Sequence, residues 1–401
     1  MNLDERRARY KAIEDARGRP LIVYATSTRL VVMSPQMVNV AGMMGGDAVR
    51  EFIDQIEALP DTKQVDILVH STGGDPLAAW KLMSMLRERF QKISVLVPFM
   101  AFSAATLFAL GADEIVMHPH ASLGPIDPQI TVALPNGQNR RFSYEDVGAF
   151  LRFLSSEVKI TEQMHTSAVI EKLFSVVDPV IVGAAKRASE LSSSVGERLL
   201  SMHMKGAKEQ ARAKQIADNL NKSFFAHGDA VSRSRARQLN LKIAADNPAL
   251  EKLLWQAFLA VEGYMELREP FIPLQHYMAN PQAAASIAPS APVVLPPNMP
   301  PQVAGQVWQA AAQGALQNAA NRGIEVEYGL VNALLEGTRV SSEYRTKGKL
   351  FAFRNVTGEM SLSVTDTETG WKRLDAAIPV GKAAAASGRP NPVTPAESGD
   401  V

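Results

Sequence analysis

Short, unbroken apolar runs alternate with stretches of helical period through the first third of this chain. The pattern predicts strands at residues 65–70, 93–97 and 114–117. It predicts helices at 76–90, with Leu77, Trp80, Leu82, Met83 and Leu86 on the apolar side, and at 103–110. Strands that are apolar throughout, rather than alternating, are covered on both faces. The predicted class is therefore α/β, a parallel sheet flanked by helices. Ahead of it the pattern predicts an amphipathic helix at 2–18, a strand at 20–25, and a helix at 47–59 between Asp47 and Pro60-Asp61.

Beyond residue 130 the rhythm changes. Leu134-Pro-Asn-Gly-Gln138 is a turn signal within 131–142, predicting a small hairpin insertion. Helical stretches follow at 144–154, 178–204, 207–222, 230–241 and 249–262, and a proline-rich stretch at 270–301 reads as an extended linker. Residues 302–337 read as helix, 349–364 as a hairpin about Thr357-Gly358, and the Ala/Gly/Pro/Ser tail as disordered. The predicted organisation is an N-terminal helix (1–17), a large α/β domain (18–262), a linker (263–302), a small C-terminal α+β extension (303–377) and a tail (378–401).

Composition narrows the function classes. Lys+Arg number 42 and Asp+Glu 41, so no net field draws nucleic acid or an anionic membrane. The absence of cysteine excludes disulfides, thiolate metal sites and a cysteine nucleophile. A charged N-terminus and the lack of a run of eighteen apolar residues predict a cytoplasmic protein with no membrane span. There is neither a Walker A pattern nor a strand–GxGxxG–helix context for a dinucleotide.

Two of the apolar runs end in small residues. Val65-Asp-Ile-Leu-Val-His-Ser-Thr-Gly-Gly-Asp75 would bring Gly73 and Gly74 to the sheet edge, and Val97-Pro-Phe-Met-Ala-Phe-Ser-Ala-Ala-Thr106 would bring Ser103 to the start of a helix. A serine facing amides freed by glycine, with the Ala104 amide in the first helical turn as a second donor, suits acyl transfer. The alternative is structural: a turn at Gly73-Gly74 and an N-cap at Ser103.

Four segments then carry a resemblance: Leu68-Val-His-Ser-Thr-Gly-Gly74, Pro98-Phe-Met-Ala-Phe-Ser-Ala-Ala-Thr106, Leu110-Gly-Ala-Asp-Glu-Ile-Val-Met117 and Ala121-Ser-Leu-Gly-Pro-Ile-Asp-Pro-Gln129. They resemble the ClpP/crotonase fold and, more narrowly, the SppA-like serine proteases and the serine dehydrogenase proteinase (SDH) family. A weaker echo lies in Phe225-Ala-His-Gly-Asp229. The resemblance implies a serine endopeptidase acting on peptides or proteins and a homo-oligomeric assembly, with no metal, nucleotide or redox cofactor. It assigns Ser103 as nucleophile and the Gly73 and Ala104 amides as oxyanion hole.

The ClpP histidine is absent from its expected neighbourhood, where Asp127 stands, which favours the Ser–Lys dyad of the SppA branch. A lysine base must be neutral and hence buried. Lys186, within an apolar helical stretch, is the expected base, with Lys205 and Lys208 as substitutes and a Ser103–His120–Asp127 triad as the alternative. His70, Gly74, His120 and Asp127 are candidates for the cleft, with a structural packing role as the favoured reading of His70 and a loop position as that of His120. Two other classes stay open: a crotonase-type acyl-CoA enzyme, and a catalytically inactive scaffold.

Overall fold

The computed structural model describes residues 2–33, 36–39, 42–133, 139–175, 177–222, 230–287, 295, 298–354 and 359–375. Helix α1 (Leu3–Arg17) is opened by a reciprocal pair. The Asn2 side chain accepts the Glu5 amide, and Glu5 returns to the Asn2 amide. Gly18, at φ 66°, closes the helix and turns the chain into β1 (Leu21–Thr26). Helix α2 (Val49–Ala58), β2 (Gln64–His70), α3 (Pro76–Arg89), β3 (Lys92–Val97), α4 (Ala104–Leu110) and β4 (Glu114–Met117) follow, matching the alternation legible in the sequence.

Strands β1 to β4 are parallel and adjacent in that order. Ile22, Tyr24, Val65, Ile67, Val69, Val95 and Val97 face α2, α3, α4 and a long helix α5 (Pro179–Leu200). Leu21, Val23, Leu68, Leu96 and Val116 face α1 and α6 (Pro248–Met265). Burial on both faces is why these strands carry no polar alternation. The buried carboxylate in these strands is Asp66, on the α1 side, where Arg17 Nε reaches it at 2.7 Å and Arg19 at 3.3 Å.

The C-terminal region differs from expectation. Only Pro301–Arg322 is helical, and Val326–Gly337 is strand β5, pairing antiparallel with β1 from Ile22↔Gly337 to Thr26↔Ala333. Strands β6 (Ser341–Arg354) and β7 (Met360–Arg373) follow, giving a seven-stranded sheet in the order β7-β6-β5-β1-β2-β3-β4. The extension therefore continues the main sheet. Its sequence signal was present: Val326, Tyr328 and Leu330 are buried while Glu327 and Gly329 are exposed, a period of two.

This junction is secured by charge. Arg6 Nε donates to Glu336 at 2.9 Å and the Tyr10 hydroxyl donates to the same carboxylate at 2.7 Å, all three side chains being buried.

The proline-rich segment is also not simply extended. Pro273–Met278 and Pro281–Ser286 are short helices, each with proline in its first turn, where no amide hydrogen is needed. Tyr277 and Ala283 are fully buried beside Tyr328 and Leu350, and the Tyr277 hydroxyl donates to the Ile324 carbonyl at 2.9 Å.

The hairpin insertion is present as Ile130–Ala133 paired with Asn139–Phe142. Helices Tyr144–Ser156, Gln163–Phe174 and Ala207–Lys222 surround α5 in the chain, the second of them unforeseen. The predicted helix at 230–241 shortens to Arg233–Gln238 behind a two-residue strand, Val231–Ser232. The turns at 134–138 and 355–358, the segment 225–229 and the tail from 376 lie outside the described residues. No helix among the described residues is long and apolar enough to cross a membrane.

Candidate active site

The two signature segments meet where β2 and β3 end. The Ser71 amide donates to the Met100 carbonyl at 3.1 Å, and the Phe102 amide to the Ser71 carbonyl at 2.9 Å. Gly73 is thereby pressed against the start of α4. A Cβ on Gly73 would lie 2.6 Å from the Ser103 Cβ, 2.7 Å from the Phe102 carbonyl oxygen and 3.1 Å from the Ala104 nitrogen. Only glycine allows this approach, and its φ of 111° excludes other residues independently.

Ser103 itself sits at φ 52°, ψ −119°, and its side chain makes no capping bond to α4. True caps elsewhere in the chain behave otherwise: Asp75 accepts the Leu77 amide at 2.8 Å and opens α3. Backbone in so sparsely populated a region costs on the order of 1–3 kcal/mol. The cost is met by the anchoring of α4, where the Thr106 hydroxyl donates to the Ala101 carbonyl at 2.7 Å and accepts the Gly124 amide at 3.0 Å. The hydroxyl at 103 is thus held out of the helix-cap role and left facing the cleft.

The donors are distributed differently from the sequence expectation. The Gly73 amide donates to Ser71 Oγ at 3.1 Å, and Ser71 Oγ also accepts from the Thr26 hydroxyl at 2.8 Å. The Gly73 carbonyl accepts from the Met44 amide at 2.7 Å, and the Asp75 amide donates to the Met44 carbonyl at 2.9 Å. A trans peptide points its N–H opposite to its C=O, so the Gly74 amide is turned away from Met44. Among the described residues neither the Gly74 amide nor the Ala104 amide has an acceptor. Gly74 must also be glycine, since a Cβ would fall 2.2 Å from the Met44 carbonyl oxygen. The sequence reading missed Ser71 and Met44. The Met43-Met-Gly-Gly46 segment reads only as loop packing until its tertiary pairing with Gly73-Gly74 is seen.

A cleft of about 670 Å³ opens over this point. Ser103, Gly73 and Gly74 line it together with Leu107 of α4, Ile126 and Ser192 of α5. Ser192 is tied to the Ile126 carbonyl, which fixes that wall.

Residues 6–138 match the family of ClpP-like SDH-type serine proteinases. Two uncharacterized proteins of Methanocaldococcus jannaschii are 25% and 28% identical over 198 residues, 49% of this chain and 58% and 59% of theirs. The matched stretch thus spans less than two-thirds of these curated relatives. Among solved structures, a 1510-N membrane-bound stomatin-specific protease is similar at 16% identity and TM-score 0.33, covering 53% of this chain and 79% of that one. ClpP1 from Listeria monocytogenes is similar at 14% identity and TM-score 0.31, covering 60% and 97%.

Several residues that the SDH-type resemblance would draw into the site lie elsewhere. Lys186 is a correction. Its side chain on α5 is 53% exposed, and its Nζ lies 2.8 Å from Glu190. That hydrogen bond raises the amine above the ordinary lysine range, opposite to what a neutral base requires. The signal was in the sequence, a Lys–Glu pair four apart on a helix. Lys205 lines a separate groove with Trp80 and Arg198, and Lys208 is exposed on the following helix.

His70 is buried on the α6 side of the sheet, which corrects its candidate place in the cleft and agrees with the structural reading of the residue. It is 1% exposed, with ring centroids 4.9 Å from Phe258 and 6.1 Å from Phe99. Neither ring nitrogen has a hydrogen-bond partner among the described residues, and burial pushes its pKa down to about 4.

His120 packs edge-on to His118 (4.8 Å) and Trp255 (5.5 Å), on the same side as α6, and does not line the cleft. Asp127 lies between two cleft-lining residues, Ile126 and Pro128, and its carboxylate accepts from the Gln129 side-chain Nε2 at 2.8 Å. The Ser103–His120–Asp127 triad is not assembled. Among the described residues that line the cleft there is no lysine, histidine or carboxylate.

Proposed function

We propose that this protein is a serine peptidase in which Ser103 is the nucleophile and the Ala104 and Gly74 amides hold the oxyanion. Gly73 contributes chiefly by leaving room. The observation that carries the reading is the combination at Ser103, a strained, non-capping serine whose neighbouring amide at Ala104 has no acceptor among the described residues. The family match over residues 6–138 supports the same chemistry.

Ser103 Oγ attacks the peptide carbonyl carbon and gives up its proton to a base outside the described cleft lining. The resulting oxyanion accepts hydrogen bonds from backbone donors already in place at the start of α4, where the helix dipole adds to them. The C–N bond then breaks, the amine leaves with a proton, and water releases the acyl group from Ser103. Preorganised donors of this kind are worth about 10²–10³ in rate each.

A homo-oligomer is part of the reading. The region around α5 exposes Leu151, Phe153, Met164, Phe174 and Val180, an apolar display suited to a second copy. Light scattering on the purified chain tests this; a monomer at micromolar concentration refutes it.

The catalytic reading is tested by intact-mass detection of a fluorophosphonate adduct. A single adduct on the wild-type chain that maps to Ser103 and vanishes in Ser103→Ala is expected. Failure of the wild-type protein to react, or an adduct that survives in Ser103→Ala, refutes it.

A further inference from the structure

The cleft beside Ser103 carries one ionisable side chain among its described lining residues, Arg141. It stands on the second strand of the hairpin insertion, opposite Thr131. Arg141 is exposed and makes no ion pair or side-chain hydrogen bond among the described residues. Several other arginines are paired: Arg17 with Asp66, Arg87 with Asp113 and Arg233 with Glu251. An unmatched guanidinium at the wall of a cleft makes a positive focus, and the low-dielectric walls supplied by Phe102, Leu107 and Ile126 strengthen it. The remaining lining residues are apolar or neutral, so nothing within the described wall cancels that charge.

We infer that Arg141 is a specificity residue that selects peptides carrying a carboxylate close to the scissile bond. The planar fork of a guanidinium donates two parallel hydrogen bonds to a carboxylate. The carboxylate belongs either to an Asp or Glu side chain or to a free C-terminus. The inference rests on the peptidase reading and adds the substrate class to it.

Blocked fluorogenic peptides carrying Glu, Gln or Lys at successive positions around the scissile bond test it on the full-length protein. A matched pair with free and amidated C-termini separates the two carboxylate sources. The wild-type protein is expected to show kcat/KM about tenfold higher for Glu than for Gln at one position, or for the free over the amidated terminus. That ratio falls to near one in Arg141→Gln, is partly kept in Arg141→Lys, and turns in favour of Lys in Arg141→Glu. A wild-type protein indifferent to the carboxylate, or an unchanged ratio in Arg141→Gln, overturns the inference. The wild-type adduct with an uncharged fluorophosphonate reports separately on Ser103, so failure of the peptidase reading is told apart from failure of this one.

Discussion

Replacing His70 by phenylalanine removes a titratable group from a place that cannot easily accept its charge. The imidazole is 1% exposed, packs against the rings of Phe99 and Phe258, and has no hydrogen-bond partner at either nitrogen among the described residues. In the unfolded chain it takes up a proton near pH 6.5, whereas burial holds it neutral until about 4 in the native state. Between those values the unfolded state binds more protons, so stability is complete above about pH 6.5 and is lost as the pH falls toward about 4. The whole difference is worth about 3 kcal/mol, and about 2 kcal/mol of it is spent between about pH 7.5 and pH 5. The assay is urea unfolding followed by circular dichroism at those two pH values, for wild type and His70→Phe. Carboxylates and the other histidines contribute to both proteins and cancel in the difference of differences. The variant is expected to lose about 2 kcal/mol less than wild type on acidification. Equal acid losses in the two proteins, within about 0.5 kcal/mol, would refute the burial argument.

Gly73→Ala places a Cβ 2.6 Å from that of Ser103 at a backbone φ of 111°, so fluorophosphonate labelling is expected to slow at least about a hundredfold while circular dichroism shows a folded protein. Lys186→Ala removes an exposed amine paired with Glu190 and should leave the labelling rate within about twofold; a hundredfold loss would mean that α5 rearranges in the active state. Arg6→Met leaves the Glu336 carboxylate buried without its cation and should cost about 3–5 kcal/mol in urea unfolding, much of it recovered in the double variant Arg6→Met/Glu336→Leu.

Local chemistry was enough to predict β2, β3 and β4 as buried parallel strands, because apolar runs bounded by glycine, proline or helix signals report their own surroundings. It was enough to single out Ser103 with Gly73 and Gly74, because abrupt strand ends in small residues leave few conformations. The Lys186–Glu190 pair and the alternation at Val326, Tyr328 and Leu330 were equally local; each was overridden by a broader pattern. Other features were settled by residues far apart in the chain. Ser71 Oγ, which also accepts from the Thr26 hydroxyl, takes the Gly73 amide and leaves the Gly74 amide without an acceptor among the described residues, and Met44 decides which way that peptide faces. The side of the sheet taken by His70 follows from α6, nearly two hundred residues later. Period and turn chemistry determine which elements form, since each depends on neighbours within a few residues. Which amide stays unpaired, which amine stays charged and which ring is sealed from water depend on packing between segments, and only the folded chain decides them.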